Sequence, residues 1–191
     1  MNHHLSAGAG CTRRIFVAVL SSAFLLPACG SAEPAQKIKL AVFDIELDDF
    51  STGGPIAGES AVETARLSRM TELARQLLAQ SGIFEIVDVG SSENEMVKAH
   101  WLRKCNGCEA EAARALGADM AFIGFYRKIS VMEQYLEIRI RDARSGELVH
   151  VSQTDLRGET DESWSRALKF LIEYRLVGPE LAHRNLESPQ K

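Results

Sequence analysis

Met120-Ala121-Phe122-Ile123-Gly124-Phe125 is an uninterrupted apolar run. A strand with no polar side is one covered on both faces, so this run predicts the central strand of a sheet flanked by packed elements on either side. The rest of the chain arranges itself around it.

Downstream, Tyr135 to Arg141 sets Leu136, Ile138 and Ile140 against Glu137, Arg139 and Arg141, the alternation of a half-buried strand. The turn Ala143-Arg144-Ser145-Gly146 then leads into a further strand over Leu148 to Leu156. With the central run these predict an antiparallel meander. The last element opens at Thr160-Asp161-Glu162, an N-cap with acids in the first turn, and spaces Trp164, Ala167, Leu168, Leu171 and Ile172 as one helix face. Beyond Gly178 the chain is a polar tail.

Upstream, Leu40 to Leu47 reads as one strand, with Phe43, Ile45 and Leu47 alternating against Asp44 and Glu46. A Gly/Pro loop over Ser51 to Gly58 follows. The stretch from Glu59 to Gln80 carries Val62, Ala65, Met70, Leu73, Ala74, Leu77 and Leu78 at helical spacing and stops at Ser81-Gly82. Phe84 to Val89 is the next strand, so a right-handed parallel βαβ unit is expected. A short helix over Glu93 to Leu102 and an Ala-rich one over Glu109 to Leu116, stopped by Gly117, complete the order. The predicted architecture is an α/β (α+β) domain over residues 38–178: one mixed sheet of about five strands in the order βα(α)β–αβββα, with helices packed on it.

Residues 1–35 read as an export signal and linker, and residues 179–191 as the tail. Arg13-Arg14 gives a positive start, Ile15 to Leu26 an apolar stretch, and Ala28 to Ala35 the small residues of a processing region. The apolar stretch is short of the ~20 residues that span a bilayer. Thr12-Arg13-Arg14-Ile15-Phe16-Val17 is similar to the twin-arginine export signature, and Leu25-Leu26-Pro27-Ala28-Cys29-Gly30 resembles a lipobox in which Cys29 would carry the lipid. Pro27 departs from the lipobox pattern, so simple cleavage near Gly30-Ser31-Ala32 or at Ala35 stands beside it. The periplasm is the expected location, with membrane contact only through the leader or a lipid on Cys29. The formal net charge of -4 becomes more negative once Arg13 and Arg14 are gone, which argues against a nucleic-acid partner.

Several phrases together carry a resemblance. Leu40 to Leu47, the run from Leu77 to Asp88, Leu116-Gly117-Ala118-Asp119 and Ile140 to Gly146 look like the amino-terminal domain of TolB and the CsgG-like lipoprotein domains. Cys105-Asn106-Gly107-Cys108-Glu109 and Asp161-Glu162-Ser163-Trp164-Ser165-Arg166 look like a family of small exported bacterial proteins classed as a domain of unknown function. The resemblance implies a TolB amino-terminal, anticodon-binding-like fold and the exported compartment, and it implies no activity.

Cys105 and Cys108 stand just before a helix, in a disulfide-permissive compartment. A stapling disulfide is the favoured reading, because it closes the loop without a further partner. A redox dithiol, with Trp101 ahead of it, and a metal site, with only His100 nearby, are the other two. Covalent haem is excluded, since Glu109 stands where a histidine is required. Asp44, Glu46 and Asp48 alternate along the first strand, with Asp49 adjacent; they read as a solvated edge or loop cap, and alternatively as a cation or ligand site. An EF-hand fails, because Asp49 occupies the glycine position and Pro55 the position of the bidentate glutamate. Arg127, Lys128, Arg139 and Arg141 read as cross-strand ion-pair partners, Trp164 as a core anchor and His150 as an ordinary half-exposed residue.

No Gly-x-Ser-x-Gly, His-Glu-x-x-His, Walker or dinucleotide pattern occurs. The expectation is a non-enzymatic accessory domain that needs no cofactor and works by contact with an envelope or periplasmic protein. The alternative is a thiol-disulfide or metal-handling protein centred on Cys105 and Cys108.

Overall fold

A computed structural model describes residues 36–130 and 132–180. Residues 1–35, where the export leader with Cys29 is expected, and residues 181–191, where the tail is expected, lie outside the described residues. The elements are β1 (Ile38–Val42), β2 (Glu46–Asp49), α1 (Gly54–Ala57), α2 (Ala61–Gln80), β3 (Phe84–Val87), α3 (Glu95–Lys98), a 3-10 turn (Leu102–Lys104), α4 (Cys108–Ala115), β4 (Met120–Lys128), β5 (Gln134–Asp142), β6 (Leu148–Asp155) and α5 (Asp161–Lys169). The chain of α5 runs on into a π-helical stretch, Phe170–Val177.

All strands join one mixed sheet in the order β3-β1-β4-β5-β6, with β2 beside β4 beyond the end of β1. β1 lies parallel to β3 and to β4, while β4, β5 and β6 form the antiparallel meander. As the apolar run predicts, β4 is covered on both faces. On one face Phe122 and Tyr126 pack with Leu67, Met70, Ala74 and Leu78 of α2 and with Trp164 and Leu168 of α5. On the other, Ala121, Ile123 and Phe125 pack with Ala112 and Ala113 of α4 and with Leu102.

Local signals start the helices where the sequence places them. Ser60 and Glu63 form a capping box on α2, each side chain accepting the other's backbone N–H. Thr160 caps α5 by accepting from Ser163 N at 3.1 Å. Asp161, in the first turn of α5, receives Arg66 and Arg69 of α2 at 2.7 Å each, tying the two helices that share a face. Trp164 is 1% exposed, its ring centroid 3.9 Å from that of Tyr126.

The loop expected over Ser51 to Gly58 holds the short α1, and the helix expected over Glu93 to Leu102 is shortened to α3; the first strand differs most. The first strand is interrupted at residues 43–45, and its two halves are one residue out of phase against β4. Val42 pairs with Phe122 and Glu46 with Phe125, so the chain takes four steps where β4 takes three. The extra residue is a bulge, and it inverts the alternation beyond it. Phe43 therefore packs on the α4 face, while Ile45 and Leu47 pack on the α2 face. Gly124 makes this fit: a Cβ at 124 would lie 2.8 Å from Ile45 Cγ1.

Candidate functional site

The bulge sets the directions of the first-strand carboxylates. Asp44 accepts from Arg75 Nη2 at 3.0 Å through Oδ1, and its Oδ2 lies 3.4 Å from His100 Nδ1. Glu46, buried at 4% exposure, accepts from the backbone N–H of Leu102 at 2.8 Å and of Arg103 at 3.1 Å. The Arg103 guanidinium completes the pair at 2.9 Å and donates also to His100 O. Asp48 lies 3.7 Å from Arg127 Nε, and Asp49 accepts from Ser51 N. Asp44 and Glu46 thus share the wall of a cleft of about 560 Å³, whereas Asp48 and Asp49 line a separate one of about 220 Å³. A hard cation at Asp44, Glu46 or Asp48 would compete with the guanidinium each already faces.

The larger cleft opens at the carboxyl ends of β1 and β3, whose onward connections pass to opposite faces of the sheet. Ligands of open α/β sheets bind in such crevices. Arg75, Val87, Asp88 and His100 line it. His100, at φ 52°, is the one non-glycine residue with positive φ among the described residues.

Cys105 and Cys108 have their sulfur atoms at disulfide distance, with Cα atoms 6.0 Å apart. Gly107 between them takes φ 102°, a left-handed turn that delivers Cys108 to the first position of α4. The next residue, Glu109, is 3% exposed and accepts from Arg141 Nε at 2.7 Å. Arg141 donates as well to Gly146 O at 2.7 Å and to Asn106 Oδ1 at 3.3 Å. One guanidinium therefore fastens the cysteine turn, the start of α4 and the β5–β6 hairpin together. Cys105, Cys108 and Glu109 are the only three potential metal ligands drawn together among the described residues, their ligand atoms within 4.8 Å.

The basic residues of the sheet are ion-paired, but only Arg127, with Asp48 and Glu137, pairs across strands; the partner of Arg139 is on its own strand and those of Lys128 and Arg141 lie off the sheet. Arg127 and Arg139 both reach Glu137, and Lys128 reaches Glu63 at 3.3 Å. Burial pushes the Glu63 carboxyl up, but the Ser60 N–H and hydroxyl and the Lys128 ammonium outweigh it and hold the group below its ordinary range.

The surface that the sequence reading missed is the outer edge of β6. Among the described residues no strand pairs with it on that side. Ser152 pairs with Ile138 on the helix-covered face, and Val151 with Arg139 on the other. The polar side of the strand thus points inward and the valines outward: Leu148, Val149 and Val151 are 40%, 49% and 49% exposed. Beside the edge, Phe170 lines a hollow with Thr154 and Asp155 and stacks with the exposed Tyr174, centroids 6.0 Å apart. His150 is half-buried, with Nε2 2.9 Å from Ser152 Oγ; burial, and then the charge of Arg175, lower its pKa.

No helix among the described residues is long and apolar enough to cross a membrane. The chain belongs to the family described as "Protein of unknown function (DUF2380)", whose profile DUF3280 matches residues 38–176. No curated protein matches it at a significant level. Among solved structures, the C-terminal domain of LpoB from Salmonella enterica aligns at 17% identity over 63% of this chain and 83% of that one, with a TM-score of 0.44. The lipoprotein GNA1162 from Neisseria meningitidis aligns at 11% identity over 80% and 99%, with a TM-score of 0.44. PelC from Paraburkholderia phytofirmans aligns at 19% identity over 71% and 86%, with a TM-score of 0.39. Each is a likeness of fold at low identity.

Proposed function

We propose that this chain is an exported, non-enzymatic binding domain of the cell envelope that acts through protein contacts, with β6 and the adjoining helix as its contact surface. The single observation that carries the reading is the inverted exposure of β6, whose open edge presents Leu148, Val149 and Val151 outward next to Phe170 and Tyr174. An unpaired, uncharged strand edge is a template for another chain, and clustered exposed apolar residues beside it mark an interaction surface. The leader ending near Cys29 supports the periplasm as the place of work, by the twin-arginine route, with or without a lipid on that cysteine. Cys105 and Cys108 act as a structural staple in this reading, and no cofactor is required.

The test is a photo-reactive side chain at position 151 in living cells, with one at the distant exposed position 56 as control. A protein adduct from position 151 alone is expected. Adducts from neither position, or equally from both, would remove the reading.

A thiol-disulfide or metal-handling role at Cys105 and Cys108 is the second reading, favoured by the proximity of Glu109 to both sulfurs. It requires Glu109 to leave Arg141, so zinc titration of the reduced protein should bind tighter in Arg141→Met than in wild type if that role is real.

A further inference from the structure

Building on the β6 contact surface, we propose that its occupant is a second copy of this chain, with the two β6 strands paired antiparallel into one continuous sheet.

The phase of the edge comes from the inner side. Leu156 N donates to Gln134 O at 2.9 Å, so Thr154 and Ser152, in the same phase, also direct their backbone groups toward β5. The N–H and C=O of Val151, Gln153 and Asp155 consequently point outward. Two such edges related by a two-fold axis align outward residues with outward residues whenever the axis passes through a residue; an axis at Ser152 sets Val151 of each copy opposite Gln153 of the other.

Edges that must stay free are guarded by lysine, proline or inward charge. From Leu148 to Thr154 this strand has no Lys, Arg, Asp, Glu or Pro, and its bulge against β5, between Leu148 and His150, falls before Val151 and Gln153, the residues that face each other across the axis. The charges lie at its two ends: Glu147 before it, and Asp155 with Arg157 where it closes, all three exposed; Glu147 and Arg157 are opposite in sign and neither is ion-paired among the described residues. An antiparallel second copy brings the Glu147 end of each chain beside the Arg157 end of the other, twice in each pair. A copy of the same strand therefore matches the uncharged middle and sets Glu147 against Arg157. Phe170 of each chain, beside Thr154 and Asp155, flanks the new pairing.

The experiment is light scattering across a concentration series on the full chain as exported and processed by its host. Wild type is expected to rise to twice the mass of one processed chain. The double variant Val151→Lys/Gln153→Lys, which opposes like charges across the axis, should remain at the single mass, while Ile56→Lys keeps the wild-type behaviour. Circular dichroism and Tm confirm that each variant is folded. A single-chain mass for wild type at every concentration overturns the proposal, as does a doubled mass that the folded double variant retains. A single-chain mass together with a different polypeptide captured at position 151 overturns self-pairing and leaves the protein-contact reading standing; a single mass with no adduct removes both.

Discussion

Ile45 lies across Gly124 so closely that the smallest side chain at 124 would meet it at 2.8 Å. This contact lets the first strand carry an extra residue against β4, and it decides which way every carboxylate from Asp44 onward faces.

Gly124→Ala should therefore destabilise the fold by about 1–3 kcal/mol, although alanine is the better strand residue. Urea unfolding checks it, and Ile45→Val in the same chain should recover part of the loss. An unchanged midpoint would mean that the bulge is not held by this contact.

Arg141 and Glu109 form a pair that is largely out of solvent, at 12% and 4% side-chain exposure. Glu109→Gln or Arg141→Met alone should cost about 3–5 kcal/mol, because each leaves a charge buried without its partner. Replacing both should cost less than the sum, and thermal unfolding of the four proteins closes the cycle.

The Cys105–Cys108 staple should alkylate only after denaturing reduction, as intact mass reveals. Its short loop stabilises by only ~2 kcal/mol, so reduction should lower Tm modestly without unfolding the domain. A larger loss would mean that the cysteines also govern the Arg141 clasp.

His150 ties stability to mild acid. Burial and Arg175 hold its folded pKa below the ordinary 6.5, so the unfolded chain binds the proton more readily. The contribution is fully present above the unfolded pKa and is lost as pH falls from about there through the lower folded value. His150→Gln should flatten Tm against pH in that window, while wild type declines.

Much of the fold is legible in the residues. The apolar run from Met120 shows the central strand, alternation shows β5, the Thr160 cap shows where α5 begins, and apolar spacing places the start of α2 within two residues. What escapes is non-local. Glu46 reads as a solvated strand residue because the N–H groups that bury it belong to Leu102 and Arg103, 56 and 57 positions away. The bulge has one sequence signal, a glycine inside an otherwise bulky strand, and Gly124 shows its meaning only once Ile45 is placed above it. The β6 edge is invisible to periodicity, since alternating Val151 and Ser152 fits either face; only the register with Ile138 and Arg139 shows that the valines point outward.

Amide hydrogen exchange along β6 tests the central claim most directly, because adjacent amides in that strand face opposite ways. Ser152 and Thr154, bonded to β5, should be protected at every concentration. If β6 is a contact edge, Val151 and Gln153 become protected as concentration rises and lose that protection in Val151→Lys/Gln153→Lys. Val151 and Gln153 exchanging at the unprotected rate throughout, and equally in both proteins, would contradict it.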